Sequence, residues 1–212
     1  MRIKTMRCAM LVLLLFLCGC SEPPVAEYDD SPIDALQDPK QGEIVKMDPM
    51  EVRKKDHVVT IEPLAPYSVA AMVVHKRYYS DGIRGEFSPL DLALAWGKMI
   101  TPEYDKHMKY SQRNRWYYYR YDATTPFSKA YIISHSSNHH IIPANDNIAR
   151  ALKRVKEGDI VRLTGYLAAM TIRKGARTVF AYRSSLRRSD SGANSCELMY
   201  VKTVQKGNEL FR

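Results

Sequence analysis

The sequence places three histidines in one short polar segment, where metal binding or acid–base chemistry would first be sought. Residues 134–140 read SHSSNHH and are followed by the apolar residues IIP. In an extended chain His135 and His139 lie on one side and His140 on the other. Neither Cys-x-x-Cys nor His-Glu-x-x-His occurs, so a zinc site would need ligands from distant segments. We therefore interpret the segment as a hydrogen-bonded loop and predict no metal and no cofactor; metal binding and catalysis are the alternatives.

Cys196 is the second group that could carry chemistry. The other three of the four cysteines lie within the first 20 residues. A thiol hydrolase would pair Cys196 with a histidine, but the adjacent Glu197 opposes a thiolate and no helix start precedes it. We expect a buried, inert thiol and no catalytic residue. An enzyme would require one of the three clustered histidines to converge in one cleft with Cys196, Ser184 or a carboxylate.

Basic and aromatic residues interleave in two further segments. Residues 115–121 read RWYYYRY and include Trp116, and Arg173, Lys174 and Arg177 surround a turn between two predicted strands. Surfaces of this composition bind single strands or glycans by stacking and charge. The alternative is that the aromatic side chains fill the core and the arginines are solvated.

The N-terminus has the organisation of an export signal. Residues 1–7 are basic without an acid, and residues 8–17 form an uninterrupted apolar run that is shorter than the roughly 20 residues of a membrane-spanning helix. The run ends in LCGC at positions 17–20, which resembles the bacterial lipobox. That resemblance implies removal of residues 1–19, acylation of Cys20 by fatty acids such as palmitate, and anchoring in the lipid bilayer. Ser21 in the following position favours the outer over the inner membrane.

Charge is distributed unevenly along the remaining chain. Without residues 1–19 it carries 29 basic and 23 acidic residues, and six of these acids precede the first base, Lys40. We predict that residues 20–56 form a flexible acidic linker and that residues 57–212 form a single globular domain. In a cell envelope, a basic domain would meet anionic glycolipids or glycans rather than nucleic acid.

Local patterns predict an α+β domain, mainly antiparallel β, with two helices. One helix is predicted to start at Ser88-Pro89 and to continue to Trp96, and the other to start at Asn145, with an apolar stripe through Leu152. Strands are predicted by β-propensity and alternation at 57–63, 67–79, 115–121, 130–134, 159–168, 178–182 and 196–204.

Two resemblances add to this pattern. The segment 158–167, GDIVRLTGYL, resembles the opening strand of small curled barrels of the oligonucleotide/oligosaccharide-binding (OB) type, in which a glycine such as Gly165 lets the strand bend. The strings at 89–97, 137–143 and 195–201 resemble a family of small bacterial envelope proteins, which implies a compartment but no particular reaction.

The sequence thus predicts a lipid-anchored, periplasm-facing protein with a binding or assembly role. Its expected partners are the bilayer and either an envelope protein complex or an anionic glycolipid or glycan. A structural subunit of an envelope complex, and then a histidine-dependent hydrolase, are the alternatives. Besides Cys20 for lipidation, the candidate binding residues are His135, His139, His140, Arg173, Lys174, Arg177 and Trp116.

Overall fold

The computed structural model describes residues 31–80, 82–187 and 195–212. The predicted signal segment and Cys20 lie outside these residues. The strands are β1 (Lys40–Gln41), β2 (Met50–Lys54), β3 (His57–Tyr78), β4 (Leu90–Ala95), β5 (Met108–Arg113), β6 (Trp116–Tyr121), β7 (Ser136–Pro143), β8 (Ile160–Lys174), β9 (Arg177–Arg183), β10 (Glu197–Lys206) and β11 (Glu209–Phe211). The α-helices are α1 (Gly82–Phe87), α2 (Pro102–Asp105), α3 (Lys129–Ser134) and α4 (Asp146–Arg154), and Gly97–Ile100 form a 3-10 turn.

Five strands pair in a closed cycle, in the order β3, β4, β7, β10, β8 and back to β3. The 22-residue strand β3 makes this possible, because its first part pairs with β8 and its last part with β4. The register of β3 shifts between Pro63 and Ala65 and again between Val73 and His75. Among the described strands only β7 and β10 run parallel. The prediction of an α+β domain with mainly antiparallel strands is confirmed.

The largest apolar core lies between the strands of the cycle and helix α4. Strand β3 alternates buried with more exposed residues over most of its length, as expected for a strand with one face on a core. Burying a large apolar side chain contributes about 1.5–3 kcal/mol, so this cluster is the main stabilising feature of the domain. Its fully buried members include Tyr67, Val69, Val73, Leu92, Leu94, Ile141, Ile148, Val161, Leu163 and Met199.

Gly165 allows two strands to approach closely, as the sequence predicts. A Cβ at this position would lie 2.0 Å from the carbonyl oxygen of Tyr200 on β10. The register between β8 and β10 shifts between Val201 and Thr203, directly beside Gly165. The strand that contains Gly165 is the eighth along the described chain, however, and not an opening strand.

One of the two predicted helices is confirmed and the other is a strand. Helix α4 begins where predicted, and the Asn145 side chain accepts a hydrogen bond from the Ile148 N–H at 2.9 Å. The helix predicted from Ser88 is wrong, because Leu90–Ala95 form strand β4 between β3 and β7. All six residues of β4 are buried, so the segment has no solvent-facing side for an amphipathic helix. Ser88 instead follows α1, where its N–H donates to the Arg84 carbonyl.

Two further segments differ in secondary structure from the prediction. Residues 130–134, predicted as a strand, belong to helix α3, which Ser128 caps by accepting a hydrogen bond from the Tyr131 N–H. The polar segment predicted as a loop largely forms strand β7, which pairs with β4 on one side and β10 on the other. A polar strand can occupy this central position because its side chains find hydrogen-bond partners there.

The folded unit begins before residue 57, within the predicted linker. Strands β1 and β2 both pair with β3, and the indole Nε1–H of Trp96 donates to Asp38 at 3.1 Å. The Arg162 guanidinium donates to the carbonyl oxygens of Ser31 and Pro32, each at 3.1 Å. Part of the acidic segment is thus held against the domain by specific contacts. No helix of the described residues is long and apolar enough to span a membrane.

Candidate functional site

The three clustered histidines lie in three different environments. His139 is fully buried and stacks on Tyr67 with ring centroids 5.9 Å apart. His135 follows helix α3 and stacks on Tyr131 at 3.7 Å. His140 instead contacts Asp91 of the neighbouring strand. The histidine cluster of the sequence is therefore not a cluster in space: His135 lies 3.8 Å from the exposed Asp38 carboxylate, whereas His140 joins a buried carboxylate.

His140 and Asp91 are cross-strand partners on β7 and β4. The imidazole Nδ1 lies 2.8 Å from Asp91 Oδ1, and the same oxygen accepts a hydrogen bond from Arg115 Nη1 at 2.9 Å. The Asp91 side chain is completely buried. A buried carboxylate requires such partners because it has lost its hydration.

Cys196 contacts His140 as well, so the imidazole joins a thiol to a carboxylate. The thiol reaches this position because β10 pairs in parallel with β7, with Leu198 opposite His140. Asn138 Nδ2 lies 3.8 Å from the Cys196 sulfur. Tyr182 packs edge-on against the imidazole and donates its hydroxyl to the Cys196 carbonyl at 2.6 Å.

The electrostatic surroundings favour a charged imidazole. Burial opposes protonation, but the hydrogen bonds and negative charge of Asp91 and Cys196 outweigh it and raise the pKa of His140 to about 9. An imidazolium beside a thiol is an arrangement that stabilises thiolate nucleophiles in proteins. Burial, followed by the charges of neighbouring groups, raises the pKa of Tyr182, which therefore stays a neutral donor.

A cleft with two lobes adjoins this network. The lobes have volumes of about 210 Å³ and about 300 Å³, and both are lined by Trp116 and Cys196. The smaller lobe is lined further by Arg84, Arg115, His140, Met170, Phe180 and Tyr182. The larger lobe is lined further by groups that include Trp96, Tyr119, Ser137, Asn138, Arg187 and Glu197. The thiol thus lies at the junction of the two lobes.

Arg115 has hydrogen-bonding capacity that the described residues do not use. Its side chain is only 9 % exposed, yet Nε and Nη2 have no acceptor among the described residues. The guanidinium stacks on Tyr79 at 4.0 Å, and Nη1 donates to the Ser88 carbonyl and to Asp91. The Ser88 hydroxyl and Asp91 Oδ2 are also buried without a described partner. Each buried polar group without a hydrogen-bond partner destabilises the folded state by about 1–3 kcal/mol.

A second layer of hydrogen bonds fixes the orientation of Asn138. Gln112 on β5 donates its side-chain amide to Asn138 Oδ1, and its own Oε1 lies 2.9 Å from His75 Nδ1. Because Oδ1 accepts from Gln112, the Asn138 amide nitrogen is turned toward the Arg115 carbonyl, at 3.3 Å, and toward the Cys196 sulfur. An amide donor is therefore held beside the thiol.

The basic residues of the predicted binding surface lie elsewhere. Arg173 is 3.4 Å from Glu51 Oε1, and Lys174 is 2.6 Å from Asp56 Oδ2. They and Arg177 flank the turn between β8 and β9. Of the seven candidate binding residues, only His140 and Trp116 line the cleft.

The sequence reasoning did not select Asp91, Arg115 and Asn138 as site residues. Asp91 offered a usable signal, because it is the one charged residue of an otherwise apolar run, but it lies in the segment that the sequence predicts as a helix. Arg115 and Asn138 carry no such signal, since their role depends on the tertiary pairing of β4, β6 and β7.

No group of three or more His, Cys, Asp or Glu side chains among the described residues could hold a metal ion. No family model, curated protein or solved structure matches this chain. The chemistry of the cleft is therefore the basis of the proposals that follow.

Proposed function

We propose that this protein is a lipid-anchored domain of the bacterial cell envelope that binds an anionic ligand in the cleft beside Cys196. The observation that carries this proposal is the pair of guanidinium side chains, those of Arg84 and Arg115, that line a cavity of about 210 Å³. A carboxylate or phosphate oxygen would satisfy donors of this geometry.

The walls of the cleft indicate what accompanies the anionic group. Trp116, Phe180 and Tyr182 provide aromatic surface, and Trp116 is 44 % exposed at the cleft. A second guanidinium, that of Arg84, lies 5.1 Å from the Phe180 ring centroid. Aromatic faces combined with a few cationic groups fit a sugar that carries a carboxylate or phosphate. In the envelope, such a sugar would belong to an anionic glycan or glycolipid rather than to nucleic acid.

We also propose that the sheet is a small curled barrel of the OB type. The closed pairing order β3-β4-β7-β10-β8 and the position of α4 between β7 and β8 along the chain support this fold. Surfaces of such barrels serve oligosaccharide and oligonucleotide binding. The cleft is formed on strands β7 to β10 and on the β5–β6 hairpin.

The anchor is proposed from the N-terminal sequence alone. A basic start, a short apolar run and LCGC at 17–20 support acylation of Cys20 and a location on the periplasmic side of a membrane, with the outer membrane favoured. Several buried acyl chains anchor a protein durably because each methylene contributes about 0.8 kcal/mol.

Retention of the full chain on immobilised lipopolysaccharide and on peptidoglycan at moderate salt tests the binding proposal. We expect Arg84→Ala and Trp116→Ala to abolish retention, because both residues line the cleft. The matched control is an Arg173→Ala, Lys174→Ala, Arg177→Ala triple variant, which removes more positive charge at the β8–β9 turn and should still be retained. If the wild type is not retained on either material, the proposal is wrong. If only the triple variant loses retention, the ligand binds at the turn instead.

A further inference from the structure

Beyond ligand binding, we infer that the cleft is a catalytic site for acyl transfer, with Cys196 as nucleophile, His140 as base and Asp91 as the positioning residue. The substrate class is an acyl compound, an ester, thioester or amide, that carries an anionic group near the scissile bond. The inference rests on the arrangement of these three side chains in the cleft and does not depend on which glycan or glycolipid binds.

The first step is the connection between the three side chains. Asp91 accepts from His140 Nδ1 at 2.8 Å, and Cys196 and His140 lie together at the smaller lobe of the cleft. A nucleophile joined to a base that a third group orients is the general requirement for covalent catalysis by a thiol or hydroxyl. Antiparallel pairing of β7 with β4 fixes His140 and Asp91 on neighbouring strands, and parallel pairing of β7 with β10 positions Cys196, which directly precedes β10.

The second step is the position of the thiol within the cleft. Cys196 and Trp116 line both lobes, so a bound molecule that passes the thiol extends into space on both sides of it. A substrate needs this arrangement, since the acyl part and the leaving group must both be accommodated. A cysteine that only fills the core would need no such access.

The third step concerns the free-energy cost of burying the charged side chains around His140. Burying Asp91 and most of Arg115 removes two charges from water, at a cost of several kcal/mol for each ion. Apolar side chains would fill the same space without that cost. The network also leaves two Arg115 donors without a described acceptor, which is a poor solution for packing alone.

Glu197 does not block this chemistry as the sequence suggested. Its carboxylate accepts a hydrogen bond from the Ser184 hydroxyl, and this bond stabilises part of the negative charge of the carboxylate. The His140 imidazole and the Asn138 amide are the groups in contact with the thiol.

The reaction proceeds through a thioester. The neutral form of His140 accepts the proton of the Cys196 thiol, which gives a thiolate beside an imidazolium, and the sulfur forms a bond to the substrate carbonyl carbon. The resulting oxyanion lies within reach of the Asn138 amide donor, and Arg115 holds the anionic substituent. The carbonyl then re-forms, the bond to the leaving group breaks, and the leaving group takes the proton from His140. Water, deprotonated by His140, cleaves the thioester to a carboxylic acid and restores the thiol.

The test uses the purified full chain with p-nitrophenyl acetate, following p-nitrophenolate release and locating the acetyl group by peptide mass spectrometry. We expect a burst of p-nitrophenolate and an acetyl group on Cys196. Cys196→Ala should abolish both, and His140→Asn should slow acetylation by about 100-fold or more, the usual effect of removing a general base. The matched control is His107→Asn, because His107 also pairs with an aspartate, Asp122, but lines neither lobe of the cleft.

The positioning role of Asp91 must be tested by a measurement that a loss of packing alone would not change. Because Asp91 holds the pKa of His140 high, Asp91→Asn should displace the pH profile of Cys196 acetylation to lower pH as well as reduce its rate. Each variant is compared with the wild type by its cooperative thermal unfolding, and Cys196→Ser provides a near-isosteric check that a loss of activity is not a loss of fold.

The anionic preference is tested with mono-p-nitrophenyl succinate in place of the acetate. We expect faster acylation of Cys196 by the charged ester, and equal rates would overturn the role given to Arg115. A folded wild type without an acetyl group on Cys196 would overturn the catalytic inference, as would acetylation that His140→Asn leaves unchanged. Retention on the immobilised glycans and acetylation of Cys196 are measured separately on the wild type, so the binding proposal and this inference can fail separately.

Discussion

The raised pKa of His140 makes the stability of the domain dependent on pH in a defined direction. In the unfolded chain the imidazole has its ordinary value of 6.5, and in the folded chain its partners raise the pKa to about 9. The folded state therefore binds the proton more tightly. The corresponding stabilisation is fully present below about pH 6.5 and is lost as the pH rises through about 9.

The size of the effect follows from the difference between the two pKa values. Each pKa unit corresponds to 1.36 kcal/mol, so a difference of about 2.5 units amounts to about 3 kcal/mol. This is a large part of the 5–15 kcal/mol that separates folded from unfolded domains of this kind. The His140 side chain is 13 % exposed, so solvent reduces this contribution little.

Urea unfolding at a series of pH values between about 6 and about 9.5 measures the effect. The wild type should lose about 3 kcal/mol of unfolding free energy over this range beyond any change in His140→Gln. Asp91→Asn should reduce the dependence, because Asp91 is the first of the partners that raise the pKa. If the wild type and His140→Gln have the same pH dependence, the reasoning about this network is wrong.

Two further predictions concern the fold. Gly165→Ala should destabilise the domain by about 3 kcal/mol or more, because its Cβ would meet the Tyr200 carbonyl at 2.0 Å. Gly158→Ala is the control: its φ of +86° is unfavourable but no atom lies near, so thermal unfolding should show a loss of only about 1–2 kcal/mol. A chain that starts at residue 57 lacks β1, β2 and the Ser31 and Pro32 acceptors of Arg162. It should be less stable in urea by about 2 kcal/mol or more than one that starts at residue 31; equal stability would support residue 57 as the boundary.

Structural elements that depend on residues close together in the sequence could be predicted from it. Helix α4 has its capping residue and apolar stripe within ten residues, and the β8–β9 hairpin has its turn at Gly175, whose φ is +57°. Strand β4 could not be recognised in this way. Its burial on both faces depends on which elements cover it, and the preceding Ser88-Pro89 is equally good chemistry for a helix start.

The candidate site was only partly accessible to sequence reasoning for the same reason. The requirement that a histidine converge with Cys196 or a carboxylate could be stated beforehand, and His140 meets it. Which histidine would do so depended on the strand alternation of β7 and on its pairing with β4 and β10. The residues that meet in the site are far apart along the chain, and contacts between distant residues leave no periodic pattern in the sequence.

The closed order of strands has a consequence for the folding of the newly synthesised chain. Strand β3 is synthesised early, but its pairing along residues 57–72 requires β8, about one hundred residues later. Contacts of such sequence separation form slowly, because the loop entropy is lost before the contacts are gained. Strand β10, which lies between β7 and β8, is the last of the five strands to be synthesised, and its pairing brings Cys196 to His140. A nascent or incompletely folded chain would therefore carry an ordinary thiol, and the cysteine would acquire its partners only when the whole domain is complete.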